Sequence, residues 1–302
     1  MSDFGMEKIS FYDQIDRNKR NSYLLIFFIF IILIGFAWII AQIYDPGLTF
    51  IILILAIIFS IFYTWGTYNY SDRIALASVN AVPADDPKYK HLRNQVEGLA
   101  LAAGLPTPRV YVMPSQDINA FATGKDPEHS VICVTTGALE KLNNSELEGV
   151  LAHEMTHIAN YDIRFVTLVA IMVGIVAIAS EIFLRSMWFS RGGRRGKGNA
   201  LILILGIILA ILAPIIVRLV QLSISRKREF MADAGAVQLT RYPGGLISAL
   251  EKIKAAYAGG AKTKVNPAVA PMFFADPIRK RMVNMFNTHP PIDERIKILR
   301  AM

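Results

Sequence analysis

Two long runs without a charged side chain dominate the first quarter of the chain: Asn21 to Tyr44, built mostly of Leu, Ile and Phe, and Pro46 to Ser71, with Asp45 between them. About 20 apolar residues in a helix cross a hydrocarbon core of about 30 Å, so each run is long enough to span. Asp45-Pro46-Gly47 breaks the helix between them, which predicts a transmembrane hairpin. A signal peptide would have a shorter apolar core and a small-residue cleavage site, and neither is evident. Two shorter apolar blocks come later, Phe165 to Ser180 and Ala200 to Val217. They predict two more spans of marginal length, or a hairpin packed partly against protein. Glu181 and Arg185, one helical turn apart, can pair and lengthen the third span through Trp188.

Between the hairpins the pattern changes to short mixed elements. Leu92, Val96, Leu99 and Ala103 recur at helical spacing, predicting a helix over Tyr89 to Ala103. Arg109 to Met113, Ile118 to Gly124 and Val131 to Thr135 read as short strands, punctuated by Pro106, Pro108, Pro114 and Gly124. A helix should begin near Ser145, where Ser145 and Glu148 have capping-box spacing ahead of Leu147, Val150 and Leu151. Helical patterns return at Leu246 to Ala258 and Ile292 to Leu299, on either side of a Gly, Ala and Pro-rich stretch, Gly259 to Pro271.

Composition agrees with this division. Apolar residues make up 53% of the 302 and charged residues 19%, against roughly 45 to 50% and about 25% in soluble domains. That excludes a disordered chain, and the single cysteine, Cys133, excludes a disulfide scaffold. The net charge is +8, from 32 Lys plus Arg against 24 Asp plus Glu. These cations cluster at span ends and in one glycine loop without aromatic interleaving, which fits a membrane surface and argues against nucleic acid. Lys8, Arg17, Lys19 and Arg20 precede the first span and the first turn has no cation, so the N-terminus is expected in the cytoplasm. Arg191, Arg194, Arg195 and Lys197 conflict with this scheme, because they fall where the external side is expected.

The chemistry-bearing feature is His153-Glu154-Met155-Thr156-His157. Residues four apart share a helical face, so both imidazoles can hold one zinc ion, and Glu154, about 100 degrees around, stands beside the open coordination position as a general base should. A catalytic zinc needs a third protein ligand. Glu229 and Asp233 are candidates, four apart on a helix, with Glu229 as ligand and Asp233 fixing the tautomer of a ligand imidazole. On their own they would describe a solvated face; beside the histidine motif they describe a metal site. Glu229 meets His157 only if an even number of spans separates them, which puts the site near the cytoplasmic membrane surface. His91 and His129 match no motif and read as surface histidines.

Taken together, Asn119-Ala120-Phe121-Ala122-Thr123-Gly124, Val134 to Gly137, Glu148 to His157, Ser225 to Asp233 and Thr288-His289-Pro290-Pro291 resemble HtpX, a family of integral-membrane zinc metalloproteases related to the CAAX prenyl proteases. The blocks occur in family order with apolar hairpins in the family positions. The resemblance implies that Asn119, Ala120, Phe121 and Ala122 form an edge strand that holds an extended substrate. It implies that His289 stabilises the oxyanion, with Arg295 as support, and that membrane or misfolded proteins are cleaved for quality control.

The expected fold is an α+β membrane protein with four apolar helices in two hairpins and a mainly helical, zincin-type catalytic domain with a small β-sheet. The expected organisation is a cytoplasmic N-terminal segment (1–21), a transmembrane hairpin (22–71), the first part of the catalytic domain (72–163), a second apolar hairpin (164–218) and the second part of the domain (219–302). One Zn²⁺ per chain, polypeptide substrates, the lipid bilayer and a multi-pass cell-membrane location complete the expectation. A prenyl peptidase is the competing enzyme; only four apolar blocks, too few for a large intramembrane chamber, argue against it. A scaffold with a structural metal is the other alternative, and it has no need of Glu154.

Overall fold

The computed structural model describes residues 11–44, 46–168, 208, 226–258, 272–275 and 290–302. Helix α1 runs Phe11–Tyr44 and α2 runs Thr49–Asn69, joined through a 3-10 turn at Pro46–Leu48. The two helices pack on each other as a hairpin. The charged Asp16 to Arg20 stretch forms part of α1, which is helical from Phe11. Among the described residues one helix, α2, meets both the length and the apolarity needed to cross a membrane, and only 6% of its most apolar stretch is buried within the protein. Phe50, Leu55, Phe62 and Trp65 on α2, with Tyr23 and Phe27 on α1, point outward. So large an apolar surface suits lipid rather than water. Of the third and fourth apolar blocks, only Phe165 to Leu168 and Ile208 are described; Glu181, Arg185 and the Arg191 to Lys197 loop lie outside the described residues.

After α3 (Ser71–Ser78) the chain enters a mixed sheet: β1 (Val82–Pro83), β2 (Arg109–Met113), β3 (Ala120–Gly124) and β4 (Ser130–Thr135) in the order β1-β2-β4-β3. β2 and β4 are parallel, with Arg109 opposite Val131; β3 and β4 are antiparallel, with Ala120 opposite Val134. β3 is therefore the sheet edge. It starts at Ala120 rather than Ile118 because the Asn119 N–H donates to Thr135 Oγ1 and the Asn119 side chain accepts from Ala120, taking these groups out of the ladder. β1 escaped notice in the sequence because it is two residues long and includes Pro83, which the sheet tolerates at its other edge. Cys133 is fully buried in β4, and burial pushes its thiol up.

The helices α4 (Lys90–Ala103), α5 (Thr136–Lys141), α6 (Asn144–Ala159), α7 (Arg226–Thr240), α8 (Pro243–Ala258) and α9 (Ile292–Leu299) complete the domain. α6 is central: Leu147, Val150, Leu151, Met155 and Ile158 are all buried, and α7 and α8 pack on it. Two glycines allow this. A β-carbon at Gly149 would lie 2.7 Å from the Leu246 backbone nitrogen in α8, and one at Gly235 in α7 would run into the Thr156 side chain. One core joins Leu92 and Val96 on α4, Ile132 on β4, Leu151 on α6, Leu250 on α8 and Leu299 on α9, so the elements before residue 168 and after residue 226 share it.

The start of α6 corrects one expectation. The capping box is Asn143 with Glu146, not Ser145 with Glu148: Asn143 Oδ1 accepts the Glu146 N–H at 2.9 Å, and Glu146 Oε2 accepts the Asn143 N–H at 2.8 Å. Both pairs have the same spacing, and Asn143 wins because the following Asn144 already has helical geometry. Glu146 also accepts from Ser248 at 2.6 Å and from Lys252 at 2.7 Å, tying the helix start to α8. Burial raises the Glu146 carboxyl, but these donors outweigh it and hold the pKa below its ordinary 4.5. A depressed carboxylate stabilises the fold above its unfolded pKa, and that contribution is lost as pH falls through the folded value. Glu146→Gln should cost about 1 to 3 kcal/mol near neutrality. The gap between variant and wild-type urea midpoints in detergent should close progressively below pH 4.5.

Candidate metal centre

The site is assembled from α6, α7, α9 and β3. His153 and His157 lie one turn apart on α6 with their Nε2 atoms 3.1 Å apart. Glu229 reaches in from α7, with Oε2 3.6 Å from His153 Nε2 and Oε1 3.7 Å from His157 Nε2. His153 is fully buried, Glu229 is buried and His157 is partly open. Ligand atoms about 2.0 to 2.1 Å from a tetrahedral zinc lie about 3.3 Å from one another. The three observed separations bracket that value, the two to Glu229 through different carboxylate oxygens, so the cluster is close to the geometry of a zinc site.

The imidazoles are oriented for such a role. His153 Nδ1 lies 3.0 Å from Asp233 Oδ1, and His157 Nδ1 lies 3.0 Å from Asp162 Oδ2. A carboxylate at Nδ1 fixes the proton there and leaves the Nε2 lone pair facing the common centre. Asp233 is gripped in turn by Arg295, whose Nε and Nη2 donate to Oδ2 at 2.8 Å and Oδ1 at 2.6 Å. Burial pushes the Asp233 carboxyl up, but Arg295 and His153 outweigh it and hold it below the usual carboxylate range. In the same acidic surroundings burial pulls the His157 imidazole down, yet Asp162, Glu229 and Glu154 together raise its pKa to about 9. The cluster holds a surplus of negative charge around its nitrogens, as a cation site should.

Glu154 is 2% exposed, with the Ala122 backbone N–H of β3 close to its carboxyl. Burial pushes it above the usual carboxylate range, against the pull of the two imidazoles. Asn119, Ala120, Phe121 and Ala122 lie on or next to the edge strand β3, whose outer side is lined by the chain's own residues 272–275. Arg295 grips Asp233, behind the ligand His153. His289 itself lies outside the described residues. His91 and His129 are exposed, as expected.

A family model described as peptidase family M48 matches residues 86–302, from just before α4 onward. The chain belongs to peptidase family M48. It is 47% identical to the protein named protease HtpX homolog of Caldanaerobacter subterraneus subsp. tengcongensis, over 98% of this chain and 99% of that one. It is 43% identical to the protein of the same name from Thermococcus kodakarensis, over 85% of this chain and 87% of that one. A solved structure, that of S. mikatae Ste24p, is a more distant likeness, with a TM-score of 0.47 at 19% identity, covering 91% of this chain and 62% of that one. As an M48 peptidase of this kind the protein is a membrane-anchored metalloprotease, and the M48 family is zinc-dependent in general.

Two residues of the M48 site were not assigned from sequence. Asp162 follows His157 by five residues, beyond the i+4 reach of one helical face. The chain returns it because α6 ends at Ala159, is capped by Asn160, and Tyr161 takes a left-handed φ of 58°. That conformation is unfavourable for a bulky aromatic residue and marks a position held by its surroundings. Phe274 packs its ring edge-on to His153 at 4.8 Å, and nothing in a four-residue apolar stretch announces such a contact. Asp162→Asn should lower zinc affinity about 10- to 100-fold with little change in fold. Competition against a chromophoric chelator measures this, and an unchanged affinity would remove Asp162 from the site.

Proposed function

We propose that His153, His157 and Glu229 hold one Zn²⁺ and that the protein cleaves peptide bonds in membrane or misfolded polypeptides at the cytoplasmic face of the cell membrane. The convergence of two imidazole Nε2 atoms and one carboxylate, with both Nδ1 atoms facing carboxylates, carries this reading. Zinc, when bound there, supplies a Lewis acid that polarises the scissile carbonyl and acidifies a water. Glu154 takes the proton of the attacking water and passes it to the leaving amine; its burial keeps its proton affinity high enough for both steps. Asp233, Asp162 and Arg295 keep the ligand imidazoles in one tautomer and orientation. His289 is assigned the oxyanion of the tetrahedral intermediate on the family resemblance.

The topology proposed is a hairpin over 22–71 and a second over 164–218, flanking the two catalytic parts, 72–163 and 219–302. The packing of α7 on α6 supports it, because both ends of the second hairpin must then lie on one side of the membrane. Arg164, whose guanidinium lies 4.7 Å from the Tyr23 ring and 5.6 Å from the Tyr68 ring, ties the residues after α6 to the first hairpin. The site is thereby kept near the membrane surface, within reach of membrane-protein segments. The relatives' names favour a protease over prenyl-peptide processing, and the buried general base favours an enzyme over a scaffold.

Zinc removal tests the reading. Purified protein should carry one equivalent of zinc and cleave casein or a membrane-protein substrate. Chelation should abolish cleavage, and added zinc should restore it. Undiminished cleavage by zinc-free protein would overturn the assignment.

A further inference from the structure

β3 is the edge strand beside the metal centre, yet its outer side is not open. The short segment 272–275 meets it at a single antiparallel bridge, with Phe273 opposite Phe121. The Phe274 N–H donates to the Ala120 carbonyl at 2.8 Å. The Asn119 side chain holds both polar backbone groups of Ala275: its Nδ2 donates to the Ala275 carbonyl at 2.7 Å, and its Oδ1 accepts the Ala275 N–H at 3.1 Å. Phe274 packs against His153 and lies under Arg295, whose guanidinium carbon is 4.7 Å from the ring centre. Farther along the same edge, the Ala122 backbone N–H lies close to the carboxyl of Glu154, the proposed general base.

These hydrogen bonds use only backbone groups of the added segment, and any extended polypeptide can make them in the same direction. A strand that binds by its backbone next to the catalytic glutamate is placed as a substrate would be. We infer that Met272–Ala275 is a resident strand in the substrate's place on β3, and that a polypeptide reaches the metal centre by displacing it and taking over its bonds. The inference rests on the proposed protease function. It also names a substrate class: an extended segment with two successive large apolar residues, one packing on Phe121 and the next on His153 and Arg295. Exchange of one strand for another conserves the backbone hydrogen bonds, so occupancy is decided by these two side chains.

The test uses full-length, zinc-loaded Glu154→Gln protein in detergent and a soluble synthetic peptide with Met-Phe-Phe-Ala at its centre. Fluorescence anisotropy should show binding, and a peptide with Ala at both Phe positions should bind at least about ten-fold more weakly. With the first peptide saturating, hydrogen exchange at the amides of Phe273 to Ala275 should accelerate at least about ten-fold while β4 is unchanged. Equal binding of the two peptides, no binding, or unaltered or deeper protection of 273–275 under bound peptide overturns the inference. In otherwise unaltered enzyme, Phe273→Ala should lower the KM for the first peptide several-fold, and an unchanged KM in a folded variant counts against displacement. A zinc-loaded wild type that cleaves no polypeptide would instead defeat the protease reading itself, so the two failures are distinct.

Discussion

Glu154→Gln is expected to leave one zinc per chain and an unchanged thermal midpoint while cleavage falls about 10²- to 10⁴-fold. The split between binding and turnover follows from the geometry. Glu154 is not among the three groups whose ligand atoms converge, so removing its charge takes no ligand away. Its carboxyl lies close to the Ala122 N–H, and a glutamine oxygen of the same shape can take the same place, so β3 stays in register with α6. What glutamine cannot do is take up a proton. Zinc content by atomic absorption, a melting curve and a peptide-cleavage rate on the same preparation separate these quantities. Cleavage at the wild-type rate would sink the general-base assignment, and loss of zinc would show that Glu154 helps hold the metal.

The parts of the site legible in the sequence were those bound to one helix. His153, Glu154 and His157 are placed by the 3.6-residue period alone, and Glu229 with Asp233 by the same period on a second helix. α4, α8 and α9 were readable for the same reason, since one apolar face must meet the core. Contacts made after the chain turns back were not readable: Asp162 depends on the left-handed Tyr161, and Arg295 reaches Asp233 from α9, 62 positions away. The strand order was also closed to inspection, because β2 pairs directly with β4 although β3 lies between them in sequence, and strand patterns carry no information about their neighbours. The capping box shows the limit of local rules, since two overlapping pairs had the right spacing and only one caps α6.

Arg295→Met should destabilise the domain by about 3 to 5 kcal/mol and weaken zinc binding. Arg295 is 1% exposed, and its fork closes on both Asp233 oxygens, while Nη1 lies 3.7 Å from Glu229 Oε2. Burial pulls the guanidinium pKa down, but Asp233, Glu229 and Glu154 more than compensate, so it stays charged among three buried carboxyl groups. Methionine fills a similar volume and keeps the contact with Phe274, so the loss is electrostatic: Asp233 becomes a buried anion with only the His153 imidazole beside it. Its escape is to take a proton, and a protonated Asp233 no longer enforces the Nδ1–H tautomer of His153. Metal affinity should fall with stability for that reason. Lysine keeps the charge but offers no planar fork, so Arg295→Lys should recover part of the melting temperature and little of the zinc affinity. A folded Arg295→Met protein with unchanged midpoint and zinc affinity would show that the guanidinium is a bystander, and that α9 is held to the metal site by apolar packing alone.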